Sequence, residues 1–512
     1  MDQRNQRLEC ARSDDSIAKK IAVGNMSQPS FDIVANQQAF QATSMDQVSK
    51  FARSLGPFSM RSAVAAVGGL QLLPALQAST FRIEMLAHAV VAACRGKKAF
   101  RQRDLASWLT DAGKIVGHNE DPAEDVFAGR VMYEGRNYRV LEGLSEGGCF
   151  HLQVILKVVE KMPDRFKKLK DGARACLKLS EAMCDRAGVP LFEVGAEHPL
   201  RGAVSSSVLR KVRVLSGWVT FSLQDLTCLG VAVEDLDPFL LGQKDRDVLS
   251  KYAGDSALFR KPILRFDDDF IVALPTAIGP AIRMAVIEEC KSLGSSAEQI
   301  LRMQHLTTIV SELLDTPMLR VIGIEPLELS LAPVVSSAPV EFEPGYWVQL
   351  ILVVDDLAAF EKDALLGSAS NSERAQGLLD HAISAARERC QANAGFKSGL
   401  TFVVMCGFGR GQLIALRDHG EKWVVKGASA YDAEVLGWRS DFSMADLVNL
   451  AIAERELESK GFEVWHVNGL LAQVGNALGN RGHLIQHEAL PDGMPAYSGT
   501  CGRPFRSHPA TC

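Results

Sequence analysis

Leu400–Arg417 reads LTFVVMCGFGRGQLIALR, and this stretch decides the fold of the C-terminal part of the chain. Three alternate glycines and one arginine, Arg410, separate two runs that have the apolar and β-branched character of buried strands. A loop of this kind either cradles a phosphate or turns a β-hairpin. The residues that follow the glycines distinguish the two interpretations.

The segment after the glycines favours the hairpin. A phosphate cradle needs a helix there, whose N-terminal amides face the anion, whereas Gln412–Leu416 has the pattern of a strand. The stretch has neither a Gly-x-Gly-x-x-Gly spacing nor a Gly-Lys-Ser/Thr ending. We therefore predict that Leu400–Cys406 and Gln412–Leu416 are paired central strands, and that Arg410 at the tip is a candidate contact for an anion or nucleic acid.

Mixed strands and helices surround this stretch and predict an α+β or α/β domain over residues 346–491. One of the helices is opened by the capping box Ser443-Met444-Ala445-Asp446. The further strands expected are 347–354, 423–426 and 462–466, and the helices are 372–391, 443–460 and 468–478.

The rest of the chain divides by composition. Residues 57–255 carry apolar positions at helical spacing and predict a mainly helical region, which a strand–helix connecting region follows over 256–345. Residues 1–28 are polar, and residues 492–512 are rich in Gly, Pro, Ser and His, so a disordered leader and a disordered tail are expected. The predicted fold class is therefore mixed: a mainly α-helical N-terminal region followed by an α+β, or α/β, C-terminal domain.

The connecting region contains a run of three aspartates and one further predicted strand. Asp267-Asp268-Asp269 stands between the strand-like segments 262–266 and 270–274, and three consecutive acids suggest a divalent cation. Adjacent strand side chains point to opposite faces, however, so an exposed hairpin turn is the favoured interpretation. Further on, Leu319–Ile324 is predicted to be a strand.

The composition gives the chain no overall electrostatic field that would attract nucleic acid or a membrane. Of 512 residues, 47% are hydrophobic and 23% are charged, with a net charge of -5, as in globular multi-domain proteins. The 11 scattered cysteines contain no Cys-x-x-Cys and predict free thiols in a reducing cytoplasm. No signal-peptide pattern opens the chain, and the best membrane candidate, Ala63–Ala78, is interrupted by Gly68 and Gly69. We expect a cytoplasmic protein without membrane contact.

A pair of predicted helices has the form of a helix-turn-helix over residues 81–110. The helices are 81–95 and 101–109, and a small hairpin expected at 130–141 would be the wing of this motif. A solvated connection between two core helices is the favoured alternative, because spacing alone identifies no base-reading residue. Under the first interpretation, the candidate contacts for an anion or nucleic acid on the turn are Arg95, Lys97, Lys98 and Arg101.

A magnesium-dependent nuclease is the competing class of function. Nucleases of the restriction type place an Asp and a Glu-x-Lys on neighbouring strands around the metal, and Asp355 and Asp356 end a predicted strand. The Glu-x-Lys triplets 289–291 and 458–460 lie in helical patterns, so the constellation is incomplete. The His and Cys spacings predict no metal site, and no cofactor is expected apart from magnesium in this alternative.

Several segments resemble those of a group of uncharacterised bacterial proteins with no assigned activity, over roughly residues 80–490. The segments are Glu120–Phe127, Leu274–Ile278, Gly399–Gly411 and Val467–Leu471. The resemblance implies a bacterial cytosolic origin and carries over no catalytic residue. Members of such groups are often larger, which leaves open that the natural product is longer.

The predicted function is that of a multi-domain interaction or nucleic-acid-associated protein without evident catalysis. Its expected partner is nucleic acid or another protein. Whether the chain is an enzyme stays open between this hypothesis and the nuclease. Salt-sensitive binding without turnover would favour the first class, and magnesium-dependent cleavage would favour the second.

Overall fold

The computed structural model describes most of the chain between residues 51 and 459. The predicted strands 412–416 and 462–466, the helix 468–478, the leader and the tail lie outside the described ranges. Those ranges are 51–72, 80–105, 107–108, 127–142, 148–189, 212–242, 245, 256–322, 329–330, 332–354, 369–406, 422–438 and 443–459.

Helices dominate the first part of the described chain, as predicted. They are α1 (Met60–Leu70), α2 (Thr80–Ala93), α3 (Gly148–Glu160), α4 (Lys167–Ala187), α5 (Val212–Val219), α6 (Leu223–Leu229), α7 (Ala257–Arg260), α8 (Ile278–Ser292) and α9 (Ser295–Asp315). The strands are β1 (Phe127–Tyr133), β2 (Arg136–Glu142), β3 (Thr220–Ser222), β4 (Ile263–Phe266) and β5 (Asp269–Val272). Strands β1 and β2 form a hairpin over the segment expected to hold one, and β3, β5 and β4 form a second antiparallel sheet in that order.

Local sequence explains how several of these elements begin and turn. The β1–β2 hairpin turns at Glu134 and Gly135, whose φ angles are 49° and 72°, a left-handed backbone that glycine adopts without steric cost. Ser222 and Asp225 form a capping box at the start of α6. Asp267 turns β4 into β5 at a φ of 54°, so the run of aspartates is a hairpin turn, the interpretation favoured from the sequence.

Helix α1 is buried along most of its length, and the backbone of neighbouring elements packs closely against two of its glycines. A Cβ on Gly69 would lie 2.1 Å from the carbonyl oxygen of Leu215 in α5, and one on Gly68 would lie 2.5 Å from that of Val272 in β5. The glycines that interrupt the apolar run therefore allow close packing inside the fold. No helix in the described ranges is long and apolar enough to cross a membrane.

The second part of the described chain is built on one mixed sheet. Its strands are β6 (Val334–Ser336), β7 (Val340–Glu343), β8 (Tyr346–Val354), β9 (Ser398–Cys406) and β10 (Trp423–Ser429). Its helices are α10 (Ala369–Gln391), α11 (Ala430–Gly437) and α12 (Met444–Ser459). The sheet order is β10-β9-β8-β6, and β7 also pairs with β8. Strands β8, β9 and β10 are parallel, whereas β6 and β7 run antiparallel to β8.

The pairing of β9 overturns the predicted β-hairpin. One edge of β9 pairs in parallel with β8 over residues 398–406, and the other edge pairs in parallel with β10 over residues 399–405. Both edges are thereby occupied, so segment 412–416 has no edge of β9 to pair with. Parallel neighbours need a connection of about a dozen residues or more, and residues 407–422 separate β9 from β10 in the sequence.

Helices cover both faces of this sheet, which explains why its central strands are apolar at nearly every position. Helix α10 covers one face, where Leu379 and Ile383 pack with Ile351 and Val403. Helices α9, α11 and α12 cover the other face, which includes Phe402. A mainly helical region followed by this layered sheet confirms the predicted mixed fold class.

A buried chain of hydrogen bonds joins the three parallel strands. The indole N–H of Trp423 donates to Thr401 Oγ1 at 2.9 Å, and that hydroxyl donates to Gln349 Oε1 at 3.0 Å. All three side chains are buried, and these polar groups find their partners inside the protein. Gly399 makes room for the indole, because a Cβ there would lie 2.2 Å from the ring.

The strand predicted at Leu319–Ile324 is wrong. Leu319–Ile322 is a 3-10 helix that follows α9. Leu319 and Ile322 are buried, while Val321 is 41% exposed. The buried pair is three residues apart, which matches the period of a 3-10 turn and not the alternation of a strand.

Candidate functional site

The basic turn predicted after α2 is held against the segment before α1 by backbone hydrogen bonds. The N–H of Arg95 donates to Gly56 O at 3.2 Å. The N–H of Lys98 donates to Pro57 O at 3.1 Å, and Lys98 O accepts from Ser59 N–H at 2.8 Å. These bonds fix the backbone from which the basic side chains emerge.

Two of the four predicted contacts on this turn use their charged groups within the fold. Arg95 Nη1 donates to the carbonyl of Cys94 at 2.8 Å, so the guanidinium caps the C-terminal end of α2. Lys98 Nζ lies 4.2 Å from the centre of the Phe58 ring and 3.8 Å from Asp104 Oδ1. Both cations are therefore less available to an external anion than the sequence suggests.

Lys97 and Arg101 are the two predicted contacts whose charges face solvent. Both are exposed, and neither makes an ion pair with another described residue. The backbone N–H of Arg101 donates to Asp104 Oδ2 at 3.0 Å, which fixes the point where its side chain emerges. Two exposed cations on a fixed backbone can contact the phosphates of a ligand.

A buried aromatic cluster packs beside the basic turn. The ring centroids of Phe100 and Trp108 are 4.0 Å apart, and those of Phe58 and Trp108 are 5.0 Å apart. None of these side chains is more than 6% exposed, so none of these rings is available to stack on a base. Among the described residues, the basic turn therefore has exposed cations beside it and no exposed ring from this cluster.

The remaining predicted residues follow the carboxyl ends of two adjacent parallel strands. Val354 ends β8 and Cys406 ends β9, and these two residues are register partners. Asp355 and Asp356 come directly after β8 in the sequence, and Arg410 comes shortly after β9. All three lie outside the described residues. In open α/β sheets, ligands bind outside the carboxyl ends of the strands. In the sequence, the two aspartates and the arginine all follow this end of the sheet.

No metal centre is assembled among the described residues. There, no group of three or more His, Cys, Asp and Glu side chains could hold an ion. The Glu-x-Lys triplets of the nuclease hypothesis begin on helices, as predicted: 289–291 lies in α8, and Glu458 and Ser459 end α12. Neither triplet begins on a strand beside β8, so they do not complete the restriction-type arrangement.

Comparison with protein-family models relates the chain to phage defence. A family model described as "Upx-like: Anti-phage protein Upx-like" matches residues 34–498. The chain belongs to this Upx-like family. The family is more specific than the group of bacterial proteins that the sequence resembles, and it agrees with a bacterial source because phages infect bacteria. No curated protein and no solved structure matches the chain.

One further polar cluster in this Upx-like chain was missed by sequence reasoning. His88 Nε2 lies 2.9 Å from Ser256 Oγ, and His88 Nδ1 lies 2.8 Å from the carbonyl oxygen of Glu84. Because a carbonyl only accepts, Nδ1 carries a proton and Nε2 can accept the Ser256 hydroxyl, as in a nucleophile–base pair. Both side chains are 0% exposed, however, and Ser256 also caps α7 by accepting from Leu258 N–H. We therefore assign the pair to the packing of α2 against α7.

Proposed function

We propose that the chain acts in defence against phage by binding nucleic acid through the phosphate backbone at the basic turn. The family description supports the defence role. Lys97 and Arg101 support the mode of binding, since they are exposed cations on a turn that backbone hydrogen bonds hold in place. The proposal rests on this held turn, because a backbone fixed before the ligand arrives loses less entropy on binding.

The chemistry of this surface predicts binding that depends little on base sequence and strongly on salt. Phosphate contacts carry no sequence information directly. Each duplex phosphate that a cation neutralises contributes a slope of about −0.9 to the plot of log K against log salt concentration. Loss of two such contacts should therefore reduce the magnitude of the slope by about 2.

Fluorescence anisotropy with a labelled duplex of random sequence, at several salt concentrations, tests the proposal. The variant Lys97→Glu/Arg101→Glu should bind the duplex about tenfold more weakly or worse, and it should reduce protection in a plaque assay. The control is Lys167→Glu/Lys168→Glu, which makes the same change of charge on two exposed lysines of α4. Equal affinities and equal salt slopes for the two double variants would contradict the proposal.

A second candidate function is magnesium-dependent cleavage of nucleic acid at the carboxyl edge of β8 and β9. Strands β8 and β9 end side by side, and this arrangement supports the second candidate. Asp355 and Asp356 follow β8 in the sequence, and Arg410 follows β9. Carboxylates are the ligands that Mg²⁺ prefers, and an arginine there would stabilise the charge that develops on a phosphate.

Incubation of purified chain with labelled DNA and RNA, with and without magnesium, tests this second function. Asp355→Asn and Asp356→Asn should each abolish cleavage. The control is Asp268→Asn, which changes an exposed aspartate in the β4–β5 turn and should cleave like the parent. Cleavage that survives both Asn substitutions, or that never occurs with the parent chain, would eliminate this candidate.

We also propose a cytoplasmic location, on the evidence of the cysteines. Each described cysteine is free, and all of them except Cys228 are buried. Free thiols persist where glutathione and thioredoxin keep them reduced. Fractionation of bacterial cells by osmotic shock should leave the chain with the cytoplasmic markers, and its release with periplasmic markers would contradict this location.

A further inference from the structure

We infer that a groove on the helical part of the chain docks an acidic amphipathic helix of a partner protein. The groove has a volume of about 820 Å³. It runs between one face of α9, with the adjoining end of α8, and the segment that leads from the end of α3 into α4. It shares no lining residue with the basic turn or with the carboxyl edge of β8 and β9, so this surface goes beyond the proposed function.

One face of α9 forms the longer wall of the groove. The lining residues on this helix fall at 296–297, 299–301, 303–304 and 307–308, a spacing of three to four residues that marks a single helix face. With a rise of 1.5 Å per residue, this wall is about 18 Å long. That length suits a peptide helix that anchors side chains at positions i, i+4 and i+7.

The groove carries apolar side chains that are open to solvent. Ile300 is 57% exposed and Leu293 is 46% exposed, and both line the groove together with Met162 and Met303. Covering large apolar side chains of this exposure is favourable, and methionine adapts its shape to the surface that covers it. The groove therefore offers an adaptable apolar strip to a ligand.

The charges that line the groove are all positive, so a ligand that complements them is acidic. Lys157, Lys161 and Arg165 line it, and no Asp or Glu does so in the described part of the chain. Lys157 is neutralised by Glu312, since Lys157 Nζ lies 2.5 Å from Glu312 Oε1. Lys161 and Arg165 are exposed, and neither makes an ion pair with another described residue. These two cations can pair with carboxylates of a bound helix.

Nucleic acid fits this groove less well than a peptide does. Phe166 is the aromatic residue in the lining, and it is 6% exposed, so a base has no open ring to stack on. The apolar strip formed with Ile300 and Leu293 gains nothing from phosphates. A helix with leucine every three or four positions and glutamate beside it matches both the strip and the cations.

The test uses the full chain and a fluorescein-labelled designed peptide of about four turns, with leucine at helical spacing and glutamate at the other positions. A control peptide has lysine in place of each glutamate. The acidic peptide should bind with a Kd of about 10 μM or tighter, and the lysine peptide should not bind. Added salt should weaken the binding, because Lys161 and Arg165 are exposed.

Substitutions then locate the binding in the groove. Lys161→Glu/Arg165→Glu and, separately, Ile300→Asp should each weaken binding of the acidic peptide by about tenfold or more. Lys167→Glu/Lys168→Glu should leave it unchanged, because neither lysine lines the groove. The inference is overturned if the two peptides bind equally, if the acidic peptide does not bind at about 100 μM, or if both double variants behave alike.

Two comparisons separate this inference from the proposed function. Lys97→Glu/Arg101→Glu should leave binding of the acidic peptide unchanged, so either idea can fail without the other. Conversely, Lys161→Glu/Arg165→Glu should retain affinity for duplex DNA. If that variant loses DNA binding and keeps peptide binding, the groove belongs to nucleic acid and the inference is wrong.

Discussion

Replacement of His305 should remove a source of acid instability in the helical part of the chain. His305 lies in α9 and is 2% exposed, and its ring stacks on His151 with centroids 5.7 Å apart. Burial lowers the pKa of His305 from 6.5 to about 3, and the positive charge of Arg283 adds to the effect. The folded protein therefore keeps a neutral ring at pH values where the unfolded chain takes up a proton.

The free energy of unfolding should consequently fall as the pH drops below 6.5. The contribution of the neutral ring is fully present above the unfolded pKa and is lost progressively toward the folded pKa, because only the unfolded state binds the proton in between. Each pH unit in this window corresponds to about 1.4 kcal/mol. Acidification from pH 7 to pH 5 should therefore destabilise the fold by about 2 kcal/mol through His305 alone.

Urea unfolding of the parent chain and of His305→Gln at several pH values isolates this contribution. The other titrating groups are common to both proteins, so their stability difference should move by about 2 kcal/mol in favour of the variant between pH 7 and pH 5. Between pH 8 and pH 7, above the window, the difference should stay nearly constant. A stability difference that is equal at pH 7 and pH 5 would refute the reasoning.

Three further tests concern packing, hydrogen bonding and thiol chemistry. Gly69→Ala should lower the free energy of unfolding by about 1–3 kcal/mol because its Cβ meets backbone, whereas Gly377→Ala in α10, with open space around its Cβ, should be neutral or stabilising in thermal unfolding. Thr401→Val should cost about 1–3 kcal/mol in urea unfolding because it leaves a buried indole N–H without its acceptor, and Thr401→Ser should cost less. Iodoacetamide should label exposed Cys228 in the native state and spare Cys406, because burial raises the pKa of the Cys406 thiol to about 12. Mass spectrometry that finds equal labelling of these two cysteines would contradict the last prediction.

Elements set by local signals were predictable from the sequence, whereas the pairing of β9 was not. The capping box of Ser443 and Asp446 stands at the predicted start of α12, with Ser443 Oγ accepting from Asp446 N–H at 3.2 Å. The apolar runs of β8 and β9 likewise marked buried strands. The partner of β9 is reached through a crossover, and a periodicity within one strand contains no information about which distant strand lies beside it.

The types of residue on the basic turn were predictable from the sequence, whereas the exposure and pairing of their charges were not. The sequence placed Arg95, Lys97, Lys98 and Arg101 on one short turn, which the structure has. Which of these cations stay exposed and unpaired depends on where their neighbours lie. The Arg95 side chain turns back onto the end of α2, and Lys98 lies over Phe58, from a segment 40 residues earlier in the chain. The groove beside α9 is formed by helices that are distant in sequence, so no local sequence pattern predicted it.

The position of α1 has a consequence for synthesis of the chain on the ribosome. Gln71, at the end of α1, accepts a hydrogen bond at 3.2 Å from the hydroxyl of Thr276, which lies 205 residues further along. At about 5–20 residues per second, translation of that interval takes roughly 10–40 s. During that time the apolar surface of α1 lacks part of its native cover, so we expect a nascent-chain chaperone to shield it until Thr276 has left the exit tunnel.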